Sequence, residues 1–395
     1  MKQCNHEWRP TRRDILGSTI AAASAGAVSL LPAGGVYAGG SERLRIGLIG
    51  CGGRGTGAAR QAVASHPSVH IVAMGDLFDD HLTESARLLH RDVGEQCASP
   101  PDRQFVGHDA WRRVLDSGID AVILAATPWS RPAHAAEAVA RGVHVYAERP
   151  AAADLEGMQV FLAACGEARS RGLTIGSGLA WRHDRPTVET VARIRDGAIG
   201  RPRSATCRAS IGLPWHRSTT PSATPQENRV RNWVADHAFS GGTLLERHLD
   251  GIDRALQAFG DACPVSASPV VGSSSDAVRY QFADGAELIA EIVRSSHARG
   301  TLEERVSGTV GTADLLNHRI HGQSSWAYEG AAGNRWQACM DAFVQAILSG
   351  RRNDGGIPLG RSTLVGLLGR TAIRERREVS WSEVAGLTSS LTGII

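Results

Sequence analysis

Lysine is almost absent from this 395-residue sequence: Lys2 is the only one, and every other member of its 43 basic residues is arginine. Lys2 lies in an N-terminal segment that we interpret as a removable leader. Without that segment, the chain has no lysine to act as a general base, a Schiff-base amine or a proton shuttle. Arginine cannot replace lysine as a base, because its pKa lies far above working pH.

The sequence also lacks closely spaced cysteines and a large excess of positive or negative charge. The seven cysteines are scattered, with no CxxC pair and no His/Cys spacing of the kind that binds zinc, so we expect no metal site. The formal net charge is only +3, with 42% hydrophobic and 21% charged residues. This balance is typical of globular proteins and favours neither nucleic acid nor an anionic membrane as a partner. The length allows two domains.

Residues 1–38 have the pattern of a targeting segment rather than of a folded domain. Thr11–Leu16 (TRRDIL) resembles the twin-arginine export motif, and Val36–Ala38 offers a cleavage site. The apolar stretch 15–31 is rich in Ala, Gly and Ser, which makes it a poor membrane span; a single membrane anchor is the alternative. We expect the twin-arginine export machinery as a partner and a periplasmic location. Since the periplasm would not supply a nucleotide, a cofactor would be bound before export and retained.

A glycine-rich stretch, Leu44–Gly55, reads LRIGLIGCGGRG. Its apolar first half predicts a buried parallel strand. Gly50, Gly52 and Gly55 then have the G-x-G-x-x-G spacing, which allows a tight turn, a close approach of backbone to a pyrophosphate and close helix–strand packing. The helix predicted over about 56–64 would point its N–H groups at the phosphates.

A carboxylate follows this unit at the required place. The run His70–Met74 predicts a second strand, which ends at Asp76. A carboxylate there accepts hydrogen bonds from the adenosine ribose hydroxyls and repels a 2′-phosphate. The sequence therefore predicts a dinucleotide-binding fold that prefers NAD over NADP.

The remaining chain predicts two domains: an NAD-binding domain over 39–150 and a substrate-binding and oligomerisation domain over 151–395. In the first domain, strands over 120–127 and 144–147 flank a helix, which indicates a doubly wound parallel sheet. Thr127-Pro128 and Glu148-Arg149-Pro150 follow those strands, at the edge where such sheets bind ligands.

The second predicted domain has a different pattern. Alternating strands after residue 265 predict an open, mostly antiparallel sheet. Helices over 334–348 and 362–372 are expected to pack back on the first domain. The stretch 212–240 reads as a long, partly ordered loop, of the kind that forms a lid or a binding loop. The fold class is therefore α/β, with an N-terminal Rossmann domain and a C-terminal α/β domain.

Several motifs resemble the glucose–fructose oxidoreductase/inositol dehydrogenase family, also written Gfo/Idh/MocA. They are the glycine stretch, AATPWSRPAH, Glu148-Arg149-Pro150 where the family has Glu-Lys-Pro, RIRDGAIGRP and SGGTLLERHLDGID. The match continues in GTVGTADL and LLGRTAIRERREVSWSEV and covers nearly everything after residue 43. These last motifs most resemble exported members with a twin-arginine leader. The resemblance implies a nicotinamide cofactor, sugar or cyclitol ligands and homo-oligomers built on the open sheet. The cofactor-binding positions that it implies are Gly50, Gly52, Gly53, Arg54, Gly55, Asp76, Thr127, Pro128, His134 and Glu148.

The sequence departs from the family at the catalytic positions. Family dehydrogenases use the lysine of Glu-Lys-Pro, with an Asp and a His four residues apart; here these positions hold Arg149, Glu246 and Asp250. The family register makes His248 the expected base, with Glu246 and Asp250 orienting it or binding sugar hydroxyls. Arg149 would hold the reacting hydroxyl and stabilise oxyanion charge.

Three functions stay open at this point. One is an exported NAD-dependent oxidoreductase, one is an NAD-dependent glycosidase that works by transient ring oxidation and elimination, and one is a binding protein with a decayed active site. His183 and His237 are further candidate bases. Tryptophans near the predicted cleft fit sugar binding, because an indole stacks on the C–H face of a sugar. These tryptophans are Trp129, Trp181, Trp215 and Trp233.

Overall fold

The computed structural model describes residues 43–219, 223–272, 276–294 and 300–386. The predicted leader, its cleavage site and Lys2 lie outside the described residues. Across the described ranges, the helices are all too short or too polar to cross a membrane. Two β-sheets organise this part of the chain.

The first sheet has six parallel strands in the order β3-β2-β1-β4-β5-β6, so the chain order reverses between β1 and β4. The strands are β1 (Leu44–Ile49), β2 (Val69–Asp76), β3 (Gln104–Val106), β4 (Ala121–Leu124), β5 (His144–Ala147) and β6 (Ile175–Ser177). Its helices are α1 (Gly53–Ser65), α2 (Asp79–Val93), α3 (Ala110–Leu115), α4 (Arg131–Ala140) and α5 (Leu155–Ser170). The predicted doubly wound Rossmann architecture is confirmed. The last strand of the sheet lies beyond residue 150, where the sequence suggested that the domain ends.

Both faces of this sheet are buried. Successive strand residues point to opposite sides, so each strand contributes side chains to two apolar clusters. Leu44, Ile46 and Leu48 pack with α1 and α2 in one apolar cluster. Ile49 and Val122 belong to the cluster on the other side, with α3, α4 and α5. The near-continuous apolar strands of the sequence therefore reflect double burial.

The second sheet has nine strands in the order β14-β13-β12-β11-β7-β10-β9-β8-β15. Only the β7–β10 pair is parallel among the described pairings, so the predicted, mostly antiparallel sheet is confirmed. The strands are β7 (Pro202–Ile211), β8 (Ser266–Pro269), β9 (Asp276–Gln281), β10 (Glu287–Arg294), β11 (Thr301–Gly308), β12 (Thr312–Asp314), β13 (Arg319–His321), β14 (Trp326–Ala327) and β15 (Val379–Ser380).

The helices of this second part are α6 (Arg185–Arg195), α7 (Pro225–Arg231), α8 (His237–Ser240), α9 (Thr243–Ala258), α10 (Arg335–Leu348), α11 (Gly356–Glu375) and α12 (Trp381–Ala385). Helices α9 and α11 pack together against the sheet. Short 3₁₀ turns occur at Gly94–Gln96, Pro101–Arg103, Ala180–His183 and Trp233–Ala235.

Two predictions about the second part have different outcomes. Helix α10 does pack back on the first sheet: Met340, Phe343 and Val344 belong to the apolar cluster of β1 and α1. The stretch 212–240, expected to be a partly ordered loop, instead contains α7, a 3₁₀ turn and α8. Thr224 and Glu227 form a reciprocal capping box at the start of α7, which explains why so polar a stretch is helical.

Candidate active site

The glycine loop joins β1 to α1, and its glycines differ in the space around them. Gly50 has φ +93°, and a Cβ there would lie 2.4 Å from the backbone nitrogen of Ala126. A Cβ on Gly55 would lie 1.9 Å from the carbonyl oxygen of Gly50. At Gly52, by contrast, a Cβ would meet no described protein atom within 4 Å. Two glycines are thus required by the protein's own packing, and the third borders free space at the start of α1.

Asp76, the last residue of β2, is fixed beside this loop. Its Oδ2 accepts a hydrogen bond from the backbone N–H of Cys51 at 2.6 Å, and its Oδ1 accepts one from Phe78 at 2.9 Å. The Nδ1 atom of His81 lies 3.5 Å from the same Oδ1. The carboxylate is held in place while its remaining lone pairs stay available, as the ribose hydroxyls of a dinucleotide require.

Arg54 and Glu148 come together at the same edge of the sheet. Arg54 Nε donates to Glu148 Oε1 at 2.7 Å, and the Glu148 carboxylate is buried. The Arg54 guanidinium also stacks on Trp336 of α10, 4.5 Å from the ring centroid. A Cβ on Gly178 would lie 2.4 Å from Glu148 Oε2, so only glycine fits beside this carboxylate.

A second charged cluster joins the end of β5 to α9. Arg149 Nη1 donates to the backbone carbonyl of Glu246 at 2.9 Å, and Arg149 Nε lies 3.0 Å from Asp250 Oδ2. Burial opposes the charge of Arg149, but Asp250 and then Glu246 outweigh it, so the pKa of Arg149 is raised. Burial also raises the pKa of Glu246, against the opposing effect of Arg149. The Arg149 guanidinium therefore joins the Asp250 carboxylate to the Glu246 backbone in the first half of α9.

The first domain matches a known family. Residues 44–177 match the family model GFO_IDH_MocA, described as an oxidoreductase family with an NAD-binding Rossmann fold. This part of the chain is similar to the Gfo/Idh/MocA family. It is an NAD-binding Rossmann domain, which makes the chain an NAD(P)-dependent oxidoreductase. The open space at Gly52 and the fixed carboxylate of Asp76 fit such a dinucleotide.

Solved structures show the same fold over both sheets. One is aldose-aldose oxidoreductase from Caulobacter crescentus complexed with glycerol, at 20% identity and TM-score 0.65, with 86% of this chain and 99% of that chain covered. Levoglucosan dehydrogenase in complex with NADH and levoglucosan has 17% identity and TM-score 0.65, with 86% of this chain and 99% of that chain covered. Myo-inositol 2-dehydrogenase from Lactobacillus plantarum has 17% identity and TM-score 0.65, with 86% of this chain and 99% of that chain covered. A comparison with curated protein sequences finds no match.

His248, the predicted base, lies away from the cluster of Arg149 and Asp250, and its catalytic role stays a prediction. Its side chain is 2% exposed, and its Nε2 bonds the carbonyl oxygen of Cys207 in β7 at 2.9 Å. An α-helix has about 3.6 residues per turn, so a residue two places from Glu246 points to the opposite side of α9. Asp250, four places on, shares the side of Glu246. His248 therefore packs against the second sheet, and burial lowers its pKa.

His134 occupies a buried position in α4. Its ring stacks on Trp111 at a centroid distance of 4.6 Å, and burial lowers its pKa to about 3. It is a neutral packing histidine, and no described contact joins it to the glycine loop, so its cofactor-binding role stays a prediction. Thr127, beyond the end of β4, places its hydroxyl 3.2 Å from that of Ser130, and Pro128 lies in the same turn.

Arg131 is a residue that the sequence analysis missed. Its guanidinium is buried and donates from Nη2 to the carbonyl of Ala126 at 2.6 Å and from Nη1 to the carbonyl of Pro150. It thereby ties together the segments that follow β4 and β5, at the ligand-binding edge. Burial lowers its pKa to about 10, against the effect of Glu148. Arg131 is part of the SRPAH motif, but the sequence gave no signal of this role, because buried arginine is rare.

The other candidate bases and aromatic residues lie on different segments. His183 is half-buried in the 3₁₀ turn after β6, and burial lowers its pKa. His237 is exposed at the start of α8. Trp181 lies between the guanidinium groups of Arg254 and Arg335, at 4.0 and 3.9 Å. Trp129 packs edge-on to Phe239 at 5.9 Å, and Trp215 edge-on to Trp233 at 6.4 Å.

Among the residues that the structure describes, no three His, Cys, Asp or Glu side chains are grouped so that they could hold a metal ion.

Proposed function

We propose that this protein is an exported, NAD-dependent oxidoreductase that oxidises a hydroxyl group of a sugar or cyclitol and retains its cofactor through the catalytic cycle. The observation that carries the proposal is the cluster of Arg149, Glu246 and Asp250 beside an NAD-binding fold. The described relatives that act on aldoses, levoglucosan and myo-inositol support this substrate class.

The chain's own residues fit the dinucleotide in two places. Backbone N–H groups of Gly52–Gly55 would face the pyrophosphate at the start of α1. Asp76 would accept hydrogen bonds from the adenosine ribose, and its charge disfavours a 2′-phosphate, so NADP is the less favoured cofactor. When bound, the nicotinamide ring supplies the hydride acceptor.

Removal of the hydroxyl proton needs a base within hydrogen-bond reach. Arg149 cannot accept a proton, but its guanidinium can hold the hydroxyl oxygen and stabilise negative charge that develops there. Asp250 is ion-paired to Arg149 at 3.0 Å and positions that guanidinium. Glu246 is the proposed base, because burial raises its pKa and so makes its carboxylate a better proton acceptor.

Export and oligomer formation belong to the same proposal. The twin-arginine pattern at Thr11–Leu16 supports delivery of the folded, cofactor-loaded protein to the periplasm. The charged residues on the uncovered side of the second sheet, such as Arg208 and Glu291 at 3.3 Å, would then face another copy in a homo-oligomer.

The first test is chemical analysis of the purified protein. Denaturation should release about one NAD per chain, and NADP in its place would contradict the role of Asp76. The loaded protein is then given aldoses, inositols and glycosides. We expect reduced nicotinamide to form with one sugar or cyclitol and to be reoxidised by an acceptor sugar.

A matched pair of variants tests the chemistry. Glu246→Gln should abolish hydride transfer while keeping bound NAD. Arg247→Gln, on the exposed side of the same helix, should keep bound NAD and, at a pH above the pKa of Glu246, hydride transfer as well. Free sugar released from a glycoside without net NAD reduction would identify a glycosidase instead. Absence of bound nucleotide, with no uptake of added NAD, would identify a decayed binding protein.

A further inference from the structure

Helix α7 belongs to the segment between β7 and α9, yet it is bonded to the first domain. Arg231, its last residue, donates from Nη1 and Nη2 to the two carboxylate oxygens of Asp80 at 2.6 and 3.0 Å. The same guanidinium stacks on the ring of Phe78 at 4.2 Å. A planar guanidinium that is both bidentate and stacked is held in one orientation.

These partners immediately follow Asp76, the predicted ribose-binding carboxylate. The backbone N–H of Phe78 donates to Asp76 Oδ1, and His81 lies 3.5 Å from the same oxygen. Arg217, which precedes α7, places Nη1 3.0 Å from His81 Nε2. The segment thus reaches the end of β2 through two separate arginines.

The segment is also fixed at the other side of the crevice. The backbone N–H of Trp129, after β4, donates to the carbonyl of Phe239 in α8 at 3.2 Å, and their rings pack edge to face. Residues 224–240 therefore run along the carboxyl edge of the first sheet, from β2 to β4. Dinucleotides bind along this edge in doubly wound sheets, with the adenosine half at β2.

We infer that α7 forms the outer wall of the adenosine half of the NAD site and controls how fast NAD leaves. The inference rests on the proposed function, since it concerns the same cofactor. NAD would lie between the glycine loop and α7, and would leave only when Arg231 separates from Asp80 and Phe78. Because Asp80 already binds both arms of Arg231, that arginine is not available to a 2′-phosphate, which adds to the preference for NAD.

The test measures dissociation of bound NADH from the full-length protein. The loaded protein is diluted into excess NAD, and loss of the bound-nucleotide fluorescence gives the dissociation rate. Arg231→Gln should raise this rate about tenfold, because it removes both a bidentate ion pair and a stacked cation. Asp80→Asn removes only the ion pair, whose carboxylate is half-exposed, and should raise the rate about threefold.

Arg229→Gln is the matched control. Arg229 lies in the same helix, but its carboxylate partner, Asp236, is in the same segment, at 2.7 Å. Its dissociation rate should stay within about twofold of wild type. The exchange Asp80→Arg with Arg231→Asp should restore slow release.

The two proposals fail in different ways. If the wild-type protein binds no NAD, the proposed function fails. If it binds NAD but the Arg231 and Asp80 variants release NADH at the wild-type rate, α7 is not the wall of the site. Equal acceleration in the Arg229 control would also overturn the inference.

Discussion

Gly52→Ala should weaken the binding of NAD without lowering the stability of the protein. Gly52 has φ −70° and ψ 179°, which alanine adopts without strain, and the added Cβ would meet no described protein atom within 4 Å. Alanine also restricts the unfolded chain, so the free energy of unfolding should be unchanged or rise by about 0.4–1 kcal/mol. The methyl group would instead occupy space that the pyrophosphate needs.

The expected loss of affinity follows from overpacking. Forcing an extra methyl group into a filled site typically costs about 1–3 kcal/mol, which corresponds to an increase of about 5- to 150-fold in the Kd for NAD. Gly55→Ala is the contrasting variant: its Cβ would lie 1.9 Å from the carbonyl oxygen of Gly50, so it should lower protein stability as well.

Two measurements on nucleotide-free protein check this pair: urea denaturation for the free energy of unfolding, and titration calorimetry for the Kd of NAD. Gly52→Ala should change only the second quantity, and Gly55→Ala both. An unchanged Kd in Gly52→Ala would refute the placement of the pyrophosphate at this loop.

Three other changes have separable outcomes. His248→Ala should lower the free energy of unfolding by roughly 2 kcal/mol in urea, because it removes a buried hydrogen bond and leaves a cavity, with kcat per folded molecule kept; loss of kcat at full stability would restore His248 as the base. Arg247→Gln removes a positive charge that lowers the pKa of Glu246, so that pKa should rise and the acid limb of the kcat/KM profile should move to higher pH; no movement would argue against Glu246 as the base. Arg254→Met leaves the buried carboxylate of Glu304 unpaired and should lower the free energy of unfolding, measured in urea, by about 3–5 kcal/mol. A decrease of less than about 1 kcal/mol would show that water reaches the pair.

The first domain was predictable because its local signals agree. Apolar runs that are buried on both faces indicate parallel strands, and the glycine spacing fixes where β1 ends and α1 begins. Helix α2 was not predicted, although Leu82, Ala86 and Leu89 recur at helical spacing on its buried side.

The second domain was predictable in type but not in detail. The hairpin between β9 and β10 is predictable from the sequence, because its turn contains Gly285. Strands β12, β13, β14 and β15 have only two or three residues each, so their pairing is decided by neighbours distant in sequence.

The candidate site was also predictable only in part. The cluster around Arg149 was named from motifs, and the spacing of Glu246 and Asp250 places both on one side of α9. That same periodicity excludes His248 from this side, although the family register had suggested it. The roles of Arg131 and α7 depend on contacts between distant segments, which no local pattern reveals.

The return of α10 to the first sheet has a consequence for synthesis of the chain. Phe343 packs where a Cβ on Gly176 would lie 2.7 Å from its ring, and Met340 and Val344 cover the same side of β1 and α1. A ribosome that has just released residue 177 has therefore made every strand of the first sheet, but none of the helix that covers one of its faces. The nascent domain must keep this apolar face from aggregating while more than a hundred further residues are translated. A fragment cut at the end of the family match should consequently be insoluble unless the α10 segment is supplied in trans.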